Sequence, residues 1–176
     1  MRKRYPQPDR VLPALKGLFC LLLCSLFLSG CGFKLRGAYV LPQVMQTTVI
    51  ETAQPRSELI RALKRGLKAS GVKLVDEAMH SAAVLSVLNE KRSKRIVSLD
   101  ARGRAREYTL TYAVSFSVKA RLQEFEIKQQ TVQIDRDYVF DTEDVLGNSR
   151  EEKRLYQEMG GDLVRLILLR LQSQAK

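Results

Sequence analysis

The sequence predicts an α+β two-layer sandwich, with two helices packed on one face of a four-stranded mixed sheet. The expected order is β-α-β-β-β-α, and a long hairpin should protrude from the sheet. Three observations lead there. Tyr108, Leu110, Tyr112, Val114, Phe116, Val118, Ala120 and Leu122 occupy alternate positions without a break, the period of a half-buried strand. Two other stretches, one near residue 60 and one ending near 170, carry apolar residues at helical spacing. The extended segments run consecutively between those helices, and such segregation favours helices on one face of a largely antiparallel sheet.

The first strand is expected at Thr47-Thr48-Val49-Ile50-Glu51-Thr52, which is short and β-branched. Gln54-Pro55 punctuates it, with proline suited to the first helical position because its missing donor needs no partner there. Leu59, Ile60, Leu63 and Leu67 then give one apolar helical face, and Arg61, Lys64, Arg65 and Lys68 cover the other side. Gly71 supplies the left-handed conformation that ends helices. Val72, Leu74 and Val75 begin an extended piece, and a strand–helix–strand unit of this size favours a parallel crossover. A strand follows from Ala83 through Leu99, and Asp100-Ala101-Arg102-Gly103 joins it to the alternating segment, with Gly103 providing positive φ. At about 3.3 Å per residue the alternating strand runs some 50 Å, so it must overhang a small core or bend. Val132, Ile134, Tyr138 and Phe140 mark the next strand. Ser149 and Glu152 read as a capping box for a last helix, whose stripe is Leu155, Met159, Leu163, Leu166 and Ile167. Gly160-Gly161 within it suggests close packing or a kink.

The start of the chain has a different character. Arg2, Lys3, Arg4, Arg10 and Lys16 precede an apolar run over 17–28, too short to cross a bilayer, which needs about 20 residues. Leu28-Ser29-Gly30-Cys31 follows, and it resembles the lipobox of bacterial lipoproteins. In that scheme the Cys31 sulfur takes a diacylglycerol, residues 1–30 are removed and the new amine is acylated. The chain then divides into a signal peptide (1–30), a lipid-anchored tether (31–46) and one α+β domain (47–176). Three acyl chains exceed the two signals needed for stable anchoring. By the familiar enterobacterial sorting scheme, Gly32 rather than aspartate sends the product outward.

Removing five basic and one acidic residue from the 30 and 19 of the whole chain leaves 25 and 18, a net charge of +7. That balance suits an anionic partner, phosphates or a lipid surface, and nucleic acid does not fit an exported protein. Cys20 and Cys24 leave with the signal and Cys31 is consumed, so no disulfide is expected in the mature chain. His80 is the only histidine, which argues against a metal site. With no glycine-rich phosphate loop either, the expectation is no cofactor and no enzyme. Glu124 and Glu126 read as solvated strand-end carboxylates.

Lys91, Arg92, Lys94, Arg95, Arg102, Arg104 and Arg106 crowd one hairpin. They serve either as edge protection or as a phosphate-binding tip, for which the guanidinium fork is suited. The lipobox, the motif Gly32-Phe33-Lys34-Leu35-Arg36-Gly37 and the element order together resemble the LPS-assembly lipoprotein family LptE. So do Gly71-Val72-Lys73-Leu74-Val75, the Gly103-x-x-x-Glu107-Tyr108 hairpin and Phe140-Asp141. The resemblance implies an outer-membrane lipoprotein seated in the lumen of an LptD-type β-barrel, on its periplasmic side, that binds lipopolysaccharide during delivery to the outer leaflet. It also implies ligand contacts at the tip and before the last helix: Arg102, Arg104, Arg106 and Arg95, with Arg150 or Lys153 where Asn148 stands near a relative's lysine. The alternatives are a lipoprotein binding another anionic envelope component, such as peptidoglycan, and a purely structural partner subunit.

Overall fold

The computed structural model describes residues 39–77, 83–120, 124–141 and 143–175. The expectations for the signal segment, Cys31, the motif at 32–37, His80 and Leu122 lie outside the described residues. The chain joins the core before its first strand. A 3-10 turn, Gln43–Gln46, buries Met45 completely, and Tyr39, Leu41 and Val44 pack against the same cluster.

Strand β1 (Thr47–Thr52) leads into helix α1 (Glu58–Ala69). Pro55 is not the first helical residue as the sequence suggested. It sits in a turn closed by the Ser57 N–H donating to the Gln54 carbonyl, and the Ser57 hydroxyl caps the helix by accepting from the Ile60 N–H at 3.2 Å. A hydroxyl can satisfy an orphan donor, which proline cannot do, and this sets the start three residues later. Leu59, Ile60, Leu63 and Leu67 are all buried, each worth about 1.5–3 kcal/mol of transfer free energy. Gly71, at φ +83°, ends the helix as expected.

The sheet has five strands, ordered β2-β1-β3-β4-β5, rather than four. The additional strand is β2 (Lys73–Val75), paired parallel to β1 at the sheet edge. A bend at Asp76 and Glu77 separates it from β3 (Ala83–Leu99), so the two are not one extended piece. β3 pairs parallel to β1 through Val87 only. On its other side it pairs antiparallel along its whole length with β4 (Ala105–Ala120), which pairs antiparallel with β5 (Glu126–Val139).

Helix α2 (Val145–Gln172) begins a full turn before Ser149. The cap is Asp144, whose carboxylate accepts from the Gly147 N–H at 2.8 Å, so Ser149 lies inside the helix. Glu152 is therefore not half of a capping box; it reaches Lys94 and Tyr138 instead. Carboxylate and hydroxyl caps are nearly equivalent, and the intervening Leu146-Gly147-Asn148 reads locally as loop.

The helices pack tightly at Gly66, where a Cβ would stand 2.8 Å from Leu168 Cδ1. Gly160 makes only ordinary contact with Tyr112, and nothing lies within 4 Å of a Cβ at Gly161. The expected close packing at that pair is thus carried by Gly66. Gly161→Ala is expected to raise stability by about 0.5–1 kcal/mol, read from urea unfolding, because it removes backbone freedom without a clash. A lowered midpoint would refute this.

Candidate functional site

A β-bulge decides the chemistry of the hairpin. Up to Val87, the residues of β3 that face the helices are Ala83, Leu85 and Val87, all buried. The register shifts between Val87 and Asn89, and the same face then carries Glu90, Arg92 and Lys94, opposite Val114, Tyr112 and Leu110 of β4. One extra residue thus turns charged side chains toward the helix layer. The hairpin and α2 also extend past the start of α1, where Gln157 Nε2 donates to Glu58 Oε1 at 3.3 Å. The space left beyond that point is a groove of about 940 Å³, floored by the hairpin and walled by the starts of the two helices.

Two aromatic-supported cations lie on its floor. Lys94 Nζ donates to Glu152 Oε2 and to the Tyr138 hydroxyl, both at 2.7 Å, and sits 4.1 Å from the centre of the Tyr108 ring. Burial pulls its ammonium down, but those hydrogen bonds outweigh it and hold the group above its ordinary range. The Arg92 guanidinium lies 4.5 Å over the Tyr112 ring, with Nη2 donating to its hydroxyl at 3.0 Å. That hydroxyl donates to Glu90 Oε1; its own burial and the adjacent carboxylate push it up to about 12. Glu90 Oε2 is buried with no hydrogen-bond partner among the described residues, on a carboxylate whose side chain is 8% exposed.

The hairpin tip is a separate feature. Gly103 adopts φ +75° and its N–H donates to the Asp100 carbonyl at 2.9 Å. Asp100 Oδ1 accepts the N–H groups of Arg102 and Arg104, and Oδ2 accepts from Arg104 Nε at 2.8 Å. The Arg104 N–H, and then its guanidinium and the Arg102 N–H, hold the Asp100 carboxyl below the usual range. Arg104 is thus tied to its own turn, while Arg102 and Arg106 make no ion pair among the described residues. Exposed Ile96, Val97, Leu99 and Val139 stand on the same end of the hairpin.

Residues 45–171 match the family described as "LptE: Lipopolysaccharide-assembly". The chain belongs to the LptE family. The LPS-assembly lipoprotein LptE of Pectobacterium atrosepticum is 35% identical over 104 residues, 57% of this chain and 56% of that protein, so the match spans little more than half of that relative. The Yersinia enterocolitica LPS-assembly lipoprotein LptE is 28% identical over 92% of this chain and 75% of its own length. Among solved structures, the rare lipoprotein B of Shewanella oneidensis superposes with a TM-score of 0.66 at 29% identity, covering 72% of this chain and 94% of that one. A minor lipoprotein from Acinetobacter baumannii gives 0.61 at 26% identity, covering 75% and 94%. The LptE fold expected from the sequence is therefore established.

The residues singled out in the sequence separate into three places. Arg102, Arg104 and Arg106 share the tip. Arg95 projects on the opposite sheet face, beside Thr109 and Asp137 in register; hydrogen bonds from Thr111 and then Gln133, with a smaller contribution from the Arg95 charge, hold the Asp135 carboxyl low. Arg150 and Lys153 lie on the first turns of α2, exposed, with Lys153 lining the groove. Asn148 is buried and structural: its Oδ1 accepts from the Asp141 N–H at 3.0 Å and its amide donates to the Asp141 carbonyl. Sequence reasoning missed the Glu90, Tyr112, Tyr138, Glu152 and Tyr156 side of the groove. Its one local signal is the change of phase at Leu88, where two apolar neighbours break the alternation.

Proposed function

We propose that the protein is the lipoprotein subunit of a lipopolysaccharide-assembly pair, anchored in the outer membrane through Cys31 and seated in the lumen of an LptD-type β-barrel. The relatives' role in lipopolysaccharide assembly points the same way. The observation that carries the reading is the sheet face turned away from the helices. Its side chains pair across strands: Thr109 with Asp137 at 2.6 Å, Thr111 with Asp135 at 2.5 Å, and Ser115 with Thr131 at 2.8 Å. A broad, small, hydroxylated face suits the interior of a large membrane barrel, which is polar. The tip then meets the ligand, where Arg102 and Arg106 take the phosphates; Arg104 in the same turn, Arg95 on the opposite sheet face, and Arg150 and Lys153 on the first turns of α2 are the further cations of this reading. The exposed Ile96, Val97, Leu99 and Val139 give an amphipathic ligand an apolar surface beside those charges.

Photo-crosslinking residues placed at Thr111, Ser115 or Ser117 in cells are expected to capture a large outer-membrane barrel protein. If the barrel co-purifies yet none of the three positions crosslinks to it, this face is not the docking surface.

A further inference from the structure

We propose that the outer face of α1 rests on an anionic phospholipid surface and orients the anchored domain there before it joins its barrel. Arg61, Lys64, Arg65 and Lys68 are exposed and fall within an arc of about 100°, on the side away from Leu59, Ile60, Leu63 and Leu67. Against these cations the helix carries one acid, Glu58, which comes only within 4.0 Å of Arg61. Like charges three and four residues apart cost a helix stability, and only Lys68, in the last turn, is favoured by the dipole. The neighbouring helix shows the contrast. On α2, Glu158 holds Arg154 at 2.8 Å and Asp162 holds Arg165 at 2.6 Å, whereas Lys64, Arg65 and Lys68 make no ion pair among the described residues.

The path of the chain points to lipid as the occupant. Tyr39 donates its N–H to the hydroxyl of Ser70, the residue that ends α1, at 3.4 Å. Cys31 stands eight residues earlier, so at most about 29 Å of extended chain separates it from that helix end. Helix α1 has 12 residues and is about 18 Å long, so all of its cations lie within reach of a bilayer that holds Cys31. For that anchor the inference rests on the proposed function. Three acyl chains hold the protein without help. The cations therefore add direction more than retention, each favouring an anionic surface about fivefold. A protein partner fits this face less well. None of the exposed large apolar side chains among the described residues lies on α1, and interface cores favour aromatic residues and are poor in lysine. With α1 on the bilayer, the hydroxylated sheet face points away from it, because α1 packs on the other side of the sheet. A barrel lumen offers no lipid, so the contact belongs to the stage before assembly.

The test places the protein, purified from membranes, in bilayer discs of phosphatidylcholine alone or with one part in three of phosphatidylglycerol. Mass spectrometry reads the acylation of Cys31, and lysine acetylation is then followed residue by residue. Lys64 and Lys68 are expected to react at least threefold more slowly when phosphatidylglycerol is present, and added salt should abolish the difference. Lys119, exposed on the opposite sheet face, should react alike in both lipids. Arg61→Gln with Arg65→Gln spares both reporter lysines and, as a surface change, leaves folding intact; it should remove most of their protection. Equal rates for Lys64 and Lys68 in the two lipids, with Cys31 acylated, would overturn the inference and leave the anchor standing. Equal slowing of Lys119 would overturn it too, because the domain would then meet lipid without a preferred face. Protection that appears only with the barrel protein bound would set α1 against protein and refute the lipid contact. A chain purified without acyl groups on Cys31 would refute the proposed anchoring, and the inference with it.

Discussion

Replacing Arg102 and Arg106 together by serine is expected to weaken lipopolysaccharide binding at least tenfold and to leave the melting temperature unchanged. The two halves of that result have separate causes. Both side chains are exposed and neither holds a carboxylate among the described residues, and surface substitutions of this kind shift stability by under about 0.5 kcal/mol. A charge-assisted hydrogen bond to phosphate is worth about 1.5–3 kcal/mol, so losing even one accounts for the tenfold. Arg104 is deliberately left in place. Its guanidinium and N–H both bind Asp100, so substituting it disturbs the turn and mixes folding with binding. The parent's affinity should also fall with added salt, as expected for exposed charges. Equal affinity of parent and variant would reduce the tip cluster to edge protection.

What the sequence disclosed follows from what a local pattern can encode. The alternation in β4 and the four-leucine-type face of α1 are periodic over many residues, so each is read without knowing its partner, and both fold as expected. The tip turn was legible too, because only a residue tolerant of positive φ suits Gly103. The bulge in β3 was not. An inserted residue changes which face carries Arg92 and Lys94, but pattern alone does not say where the phase slips. The start of α2 was hidden for a similar reason, since Asp144 and Ser149 are chemically comparable caps and the loop-like Gly147 lies between them. The groove was beyond reach altogether. It exists because α1 ends its coverage of the sheet at Glu58 while α2 runs on, a mismatch between elements about a hundred residues apart. Consequently the exposed cations of the hairpin were visible as a cluster, but their division into tip, open face and groove was not.

Removing the Tyr112 hydroxyl tests how the groove floor is held together. Tyr112→Phe leaves the Glu90 carboxylate buried with neither oxygen hydrogen-bonded by tyrosine, and a stranded buried polar group costs about 1–3 kcal/mol, more when charged. The ring itself remains, so packing against Tyr156 and the stacked Arg92 are kept. The expected result is a clear drop in unfolding midpoint for the single variant and recovery of much of it in Tyr112→Phe with Glu90→Leu, because removing both partners strands no charge. The alkaline limb supplies an independent check. The Tyr112 hydroxyl is raised from 10.0 to about 12 in the folded protein, so the unfolded chain releases this proton first as pH rises. Its contribution to stability is whole below about pH 10 and fades between about 10 and 12. Tyr138 and Tyr156 are raised as well and weaken the protein over the same alkaline range, so the comparison must be made by difference. The variant's stability is expected to decline less steeply than the parent's across that window. Equal slopes, or a single variant as stable as the parent, would mean that Glu90 is satisfied without Tyr112, and the groove floor would then not depend on their bond.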